Sequence, residues 1–472
     1  MNRLALRISS MTIIVIHLLL CGVVLITPVN AAEWRAGVAS VSITPSEPVW
    51  MAGYGNRVKP SEDVYQDIYV KALALEDSRG ERVVIVTADL IGIEDKSSQA
   101  IAAEITRRYG LPRKAILFNT SHTHCGPETR GFKTPFYNFP EEHYVYRDKK
   151  IFEYISWMEA RTVEAVGAAL DGLDDADISF RTAPIRPFSV SRRLPTDEGI
   201  AYRSGPSSYY TGGPRDDAVP VLKVTGKDGA VRAILFGYAC HPITLLEYSI
   251  SGDYPGFAQK YIEEAVPGAV SMFVQGCSGQ LVPNARYQRE YAQGHGRTLA
   301  DAVVNSLDGE FVPLTGTVES AYDEVLLDFE PLPDRETLER EAMDSSAAAR
   351  KAKYLLACLD RGEELQNTLA APLQTFRIGR ELLFIGLPGE PVVEWALKFK
   401  SEFNHYNNVW VAGYTNHEFG YLPTWKILRE GGYEAGRANE NTPFSGYFTE
   451  SVEKLVSDGV RHLASEVSEG AE

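Results

Sequence analysis

Long apolar runs are scarce in this chain. After Met11 to Val29, no stretch approaches the roughly 18 residues that a membrane span needs. A multi-span membrane protein is therefore excluded. Positive charge is also in deficit, with 47 Lys and Arg against 63 Asp and Glu and a net charge of −16. Nucleic-acid binding needs a basic face to neutralise phosphates, so that class is set aside. Cysteine is sparse, five in 472 residues, with no C-x-x-C and no zinc-finger spacing. Four familiar catalytic signatures are missing as well: the G-x-S-x-G elbow, the Walker loop, H-E-x-x-H and the Rossmann glycine pattern. What remains is ordinary globular composition, 44% apolar and 23% charged. That length suits two or three units, or one large α/β core.

Residues 1–31 have the form of a secretory signal. Arg3 and Arg7 precede the apolar run, and Val29-Asn30-Ala31 supplies an A-x-A-like cleavage site. An uncleaved anchor is the rival reading, since the run is long enough to span a bilayer. Leu20 before Cys21 does not suit a lipoprotein site. Without Arg3 and Arg7 the mature chain keeps 45 basic and 63 acidic residues, net −18. It is expected to be soluble and exported, periplasmic or secreted. Cys125, Cys240, Cys277 and Cys358 then remain. One disulfide would suit an oxidising compartment, but small buried packing residues are the plainer reading, ahead of thiolate ligation.

Strands and helices alternate along the chain. Residues 67–75 and 82–87 read as a hairpin around Gly80, and 219–224 with 231–238 as a second. Helices are predicted near 97–109, 151–170, 256–265, 287–307, 334–361 and 450–462, and strands near 115–118, 382–386 and 409–413. The class is mixed α/β, with β-sheets flanked by helices. Four short apolar strands run straight into polar groups, ending near His122, His241, Glu390 and Asn416; Asp89 ends a fifth. Open α/β sheets bind ligands at the carboxyl ends of their strands. Two His and a Glu on one rim is what a catalytic zinc requires, three ligands and room for water.

Each candidate has a plainer alternative. His122-Thr123-His124 places both imidazoles on one face if it is a strand. His241 alone is more often a satisfied polar residue, and Glu390 a turn or helix-start acid. His143, His295, His405 and His462 read as surface residues, with His417 an outsider. Gly276-Cys277-Ser278-Gly279 is superficially elbow-like, but a Gly-rich turn after the strand at 272–274 is the ordinary reading.

Together these residues resemble the neutral ceramidases, zinc amidases that split ceramide into fatty acid and sphingosine. The likeness runs from Arg35-Ala36-Gly37 and Gly53-Tyr54-Gly55 through Ser121-His122-Thr123-His124-x-Gly126-Pro127, its most specific piece. It continues through His241 with Ser251-Gly252-Asp253, Pro388-Gly389-Glu390, Gly420-Tyr421 and Gly432-Tyr433-Glu434. The resemblance implies zinc (Zn2+) held by His122, His241, Glu390 and Tyr421, with His124 and Tyr433 over the scissile carbonyl and Arg192 beside them. Glu390 would also take the water proton. It implies an amphipathic substrate and transient contact with a membrane surface. It further implies one catalytic domain, read over residues 32–472; the family's C-terminal immunoglobulin-like domain is expected to be missing, a departure from the family. One segment departs from the family: Gly279-Gln280-Leu281-Val282-Pro283-Asn284 lacks the Asp and Ser of G-D-x-S-P-N. Another N-acyl compound, or a glycan cleaved by hydrolysis or lyase chemistry, is the alternative substrate. A secreted binding module without turnover is the non-enzymatic alternative. The aromatic loops 135–140 and 207–210 would suit either a lipid or a sugar.

Overall fold

The computed structural model describes residues 33–136, 144–202 and 212–469. The signal segment 1–31, His143 and the aromatic positions 137–140 and 207–210 lie outside them. Ala32–Glu472 cluster as one unit.

The first hairpin is as predicted. Strands β2 (Tyr69–Asp77) and β3 (Arg82–Ala88) pair antiparallel around Gly80, whose φ of 83° suits a residue without a side chain. Both strands are apolar on both faces because they lie inside a sheet, between β1 (Trp34–Ser42) and β4 (Ile116–Thr120). Beyond β1 the sheet continues through β5 (Asp174–Ala183), β6 (Val219–Gly226), β7 (Val231–Tyr238) and β8 (Val270–Gln275). A second sheet runs β9 (Val318–Asp328), β10 (Thr368–Ile378), β11 (Leu382–Gly386) and β12 (Asn408–Ala412). Both sheets are mixed: β3/β4, β7/β8 and β11/β12 are parallel, and the remaining long pairs are antiparallel.

Helices cover the sheets. Helix α1 (Asp95–Tyr109) ends at Gly110 in the left-handed conformation, and α2 (Tyr144–Asp171) packs on β1 and β2. Helices α3 (Asp253–Ala265) and α4 (Arg289–Ser306) pack together beside β8. The helix expected over 334–361 is two, α5 (Arg335–Glu341) and α6 (Ala347–Asp360). Ser346 causes the break: its side chain accepts from Ala349 N at 3.0 Å and so starts a new helix. After α7 (Val393–Glu402), the chain closes with α8 (Val452–Glu469).

The parallel pairs bring strand ends together, and Asn119 ties them. Its side-chain nitrogen donates to Gly413 O at 2.7 Å and Gln275 O at 3.3 Å, and its oxygen accepts from Gln275 N at 2.9 Å. One buried amide thus joins the ends of β4, β8 and β12. Asn416, expected as a reactive group, is a second such clamp. It accepts from Phe118 N at 3.2 Å and donates to Gln374 Oε1 at 2.9 Å.

Candidate metal centre and catalytic cleft

His122 does not lie on a strand. It follows β4 by two residues with φ of 64°, so the expected strand alternation is not what aligns it with His124. A loop turns both imidazoles toward one cleft, with ring centroids 5.1 Å apart. His241 follows β7 and its backbone N–H donates to Leu281 O at 2.9 Å. Glu390 arrives after Gly389, whose φ is 64° and where a Cβ would meet Gly420 O at 2.6 Å. There Glu390–Pro391 pairs with Tyr421–Leu422 as two short parallel strands, Glu390 beside Tyr421.

The side chains converge. Glu390 Oε2 is 3.2 Å from His122 Nε2 and 3.1 Å from His241 Nε2, and the Tyr421 hydroxyl is 3.5 Å from His241 Nε2. All four groups are buried. Burial pushes the Glu390 carboxyl upward, but His122 and His241 outweigh it and hold it well below the usual range. Burial takes His241 down to about 4, so it is neutral at pH 7.

The proton inventory then makes a demand. His122 Nδ1 lies 2.6 Å from Ile91 O, and His241 Nδ1 lies 2.8 Å from Ser278 O. A carbonyl oxygen can only accept, so each Nδ1 carries the proton. His241, neutral at pH 7, therefore turns the lone pair of Nε2 toward a carboxylate oxygen that also only accepts, and His122 Nε2 faces the same oxygen. Lone pairs facing one another at about 3 Å repel unless a cation lies among them. Ligands on a tetrahedral zinc are about 3.3 Å apart, given bonds near 2.0–2.1 Å, so the spacing also fits a metal.

His122, His124 and His241 could themselves hold an ion, since each offers a ring nitrogen within 4.8 Å of the others. His124 differs from the other two: both its ring nitrogens are buried without a hydrogen-bond partner. Its ring rests edge-on to Tyr54 at 4.9 Å, and burial holds it well below its ordinary pKa. Gly53 makes this placement possible, since a Cβ there would stand 2.5 Å from His124 Cγ.

Arg192 is buried beside Tyr421 and Glu434. It donates to the Tyr421 hydroxyl at 2.6 Å, to Gly279 O at 2.8 Å and to Glu434 Oε1 at 2.7 Å, and Arg193 holds the other Glu434 oxygen at 2.9 Å. Glu434 is a partner that sequence reasoning gave no role, although it follows Tyr433 in a block already singled out. Tyr433 lines the cleft, its ring 5.5 Å from that of Tyr421. The divergent segment 279–284 packs behind Glu390: Gln280 accepts from Val393 N at 2.9 Å and donates to Glu394 at 2.6 Å.

Ser278 has a structural part. Its Oγ meets Gln275 Nε2 and the Tyr414 hydroxyl, each at 2.9 Å, while its carbonyl orients His241. All four cysteines are free and buried, and burial raises the thiol of Cys125 to about 12, so none is a thiolate. His405 and His462 are exposed as expected, but His295 is half-buried, stacked on Phe188 at 4.5 Å. Helical context hid the aromatic partner. His417 is buried and supports Gly389 through its backbone carbonyl at 2.7 Å.

Comparison with known proteins gives a consistent result. A family model described as neutral/alkaline non-lysosomal ceramidase, N-terminal, matches residues 34–303, more than half of the chain. Among solved structures, a ceramidase complexed with C2 superposes with a TM-score of 0.70 at 18% identity, covering 94% of this chain and 76% of that one. Neutral ceramidase from Pseudomonas aeruginosa gives 0.69 at 19% identity, covering 92% and 74%. A comparison with curated proteins returned no match.

Proposed function

Because the chain belongs to the neutral/alkaline ceramidase family, we propose that it is an exported zinc-dependent amidohydrolase that cleaves an N-acyl amide, ceramide giving sphingosine and fatty acid. The observation that carries this reading is the convergence of His122 Nε2 and His241 Nε2 on Glu390 Oε2, at 3.2 and 3.1 Å. His122, His241, Glu390 and Tyr421 would hold the ion. When bound there, zinc supplies a water acidic enough to react at neutral pH and a Lewis acid for the carbonyl.

The remaining work falls to the chain. Glu390 accepts the proton of the attacking water. His124 and Tyr433 donate to the oxyanion that forms at the carbonyl, in a cleft that limits competing water. The proton that Glu390 takes up returns to the leaving amine through His124, whose unpartnered nitrogens leave it available to accept that proton and pass it on. Arg192 fixes the Tyr421 oxygen and is itself fixed by Glu434. The leader at 1–31 directs export to a periplasm or the medium. Among the described residues no helix is long and apolar enough to cross a membrane.

His122→Ala or Glu390→Ala should abolish zinc binding and turnover together, read by metal analysis and fatty-acid release. Full activity in either variant would overturn the site assignment.

A further inference from the structure

Tyr414 follows β12 by two residues and is 2% exposed. Its φ is 54°, in the left-handed region that a residue with a side chain occupies at a cost, although Gly413 stands next to it. Such a conformation persists where the surroundings impose it, and it gathers at functional sites. The surroundings here are the approaches to three of the proposed metal ligands.

Each part of the residue serves one approach. Its backbone N–H donates to Gly389 O at 3.1 Å, directly before Glu390. Its backbone carbonyl accepts from Thr120 N at 3.2 Å, two residues before His122. The ring lies against His122, with centroids 4.5 Å apart, and stands edge-on to His241 at 6.1 Å. The hydroxyl is 2.9 Å from Ser278 Oγ, and Ser278 O takes the Nδ1 proton of His241 at 2.8 Å. Gln275 Nε2 donates to the same Ser278 Oγ at 2.9 Å and to Cys240 O at 2.8 Å. This network therefore grips His241 from its ring and from the residue before it.

A tyrosine kept to fill the core is the plainer reading. Filling needs neither a φ of 54° nor a buried hydroxyl that must then be satisfied. That hydroxyl reaches the residue whose carbonyl fixes the His241 tautomer.

We propose that Tyr414 is a positioning residue for the metal centre, its hydroxyl aiming His241 through Ser278 and its ring seating His122. The inference rests on the zinc-hydrolase reading, since it takes His122, His241 and Glu390 as ligands. Groups that orient metal ligands commonly change affinity by about 10–100-fold.

The test is zinc affinity of the mature protein, by competition with a chromophoric chelator, in Tyr414→Phe, Ser278→Ala and the double variant. Tyr414→Phe keeps the ring, removes the hydroxyl and should bind zinc about tenfold more weakly. Ser278→Ala should lose as much. The double variant should lose no more than either alone, because both substitutions cut one link. In the cobalt-substituted proteins the d–d absorption should shift in all three, since it reports ligand geometry. A merely structural role would lower the melting temperature of the metal-free protein and move neither readout. Zinc affinity within roughly twofold of wild type and an unmoved cobalt band would therefore overturn the inference. Additive losses in the double variant would overturn it too, since the link through Ser278 would not exist. Should Tyr414→Phe fail to fold, Ser278→Ala still decides by its loss or the lack of one. A wild-type protein that binds no zinc sinks the zinc reading itself. Zinc-binding wild type with indifferent variants sinks this inference alone.

Discussion

In the proposed reading Tyr433 and His124 flank the ligand cluster without belonging to it, and that difference can be measured. Tyr433→Phe removes a single hydroxyl from the cleft wall. It should keep zinc and lose turnover by roughly 10²–10³, the scale of one oxyanion donor. His124→Ala should likewise keep zinc while losing turnover. Loss of the metal in His124→Ala would instead assign the ion to the three-histidine set, whose nitrogens lie within 4.8 Å of one another. The residues were legible here because chemistry-bearing side chains follow apolar strands directly, as His241 follows Phe236-Gly237-Tyr238. Glu434 and Arg130 were not. Their meaning depends on partners 288 residues away, as for Arg130 and Glu418, which no local pattern reports.

Elements decide how well those residues are aimed. The loop at Gly53 runs against His124 with φ of 94°, and an added methyl would overlap the imidazole. Gly53→Ala should cost about 1–3 kcal/mol of stability from backbone strain, and it should lower turnover with zinc retained. Thermal unfolding with metal analysis checks both. In the α5–α6 hairpin, Lys351 is buried with its ammonium on Asn439 O at 3.0 Å. Burial lowers its pKa from 10.5 to about 8. The unfolded chain therefore holds more protons between those values, and stability contributed at this site rises with pH from about 8 to 10.5. Lys351→Met should stabilise the protein at pH 7 by about 1–3 kcal/mol, with the gain shrinking across that window. Denaturant melts at pH 7 and pH 10 would show it, and a constant or growing gain would refute it.

Hairpins and buried parallel strands were readable because they are uninterrupted apolar runs. Strands β5 and β9 escaped notice for the opposite reason. Asp174-Asp175-Ala176-Asp177 and Tyr322-Asp323-Glu324 put charges on the solvent side of half-buried strands, where alternation is weak.

At the scale of the whole molecule, two mixed sheets are joined where their parallel strands end, and the site occupies that seam. The fold is shared with solved ceramidases at 18–19% identity, with TM-scores of 0.70 and 0.69. A net charge of −16 coexists with a cleft lined by Lys133, Arg130 and Glu390. The segment 279–284 shows how the fold tolerates divergence. Gln280 bonds the start of α7, and the backbone carbonyls there hold Arg192 and His241.

The most direct measurement is metal content of the purified mature protein, together with fatty-acid release from a fluorescent ceramide with and without chelator. The account predicts one zinc per chain and cleavage that chelator abolishes and zinc restores. A protein without bound metal, or cleavage indifferent to chelator, would contradict it.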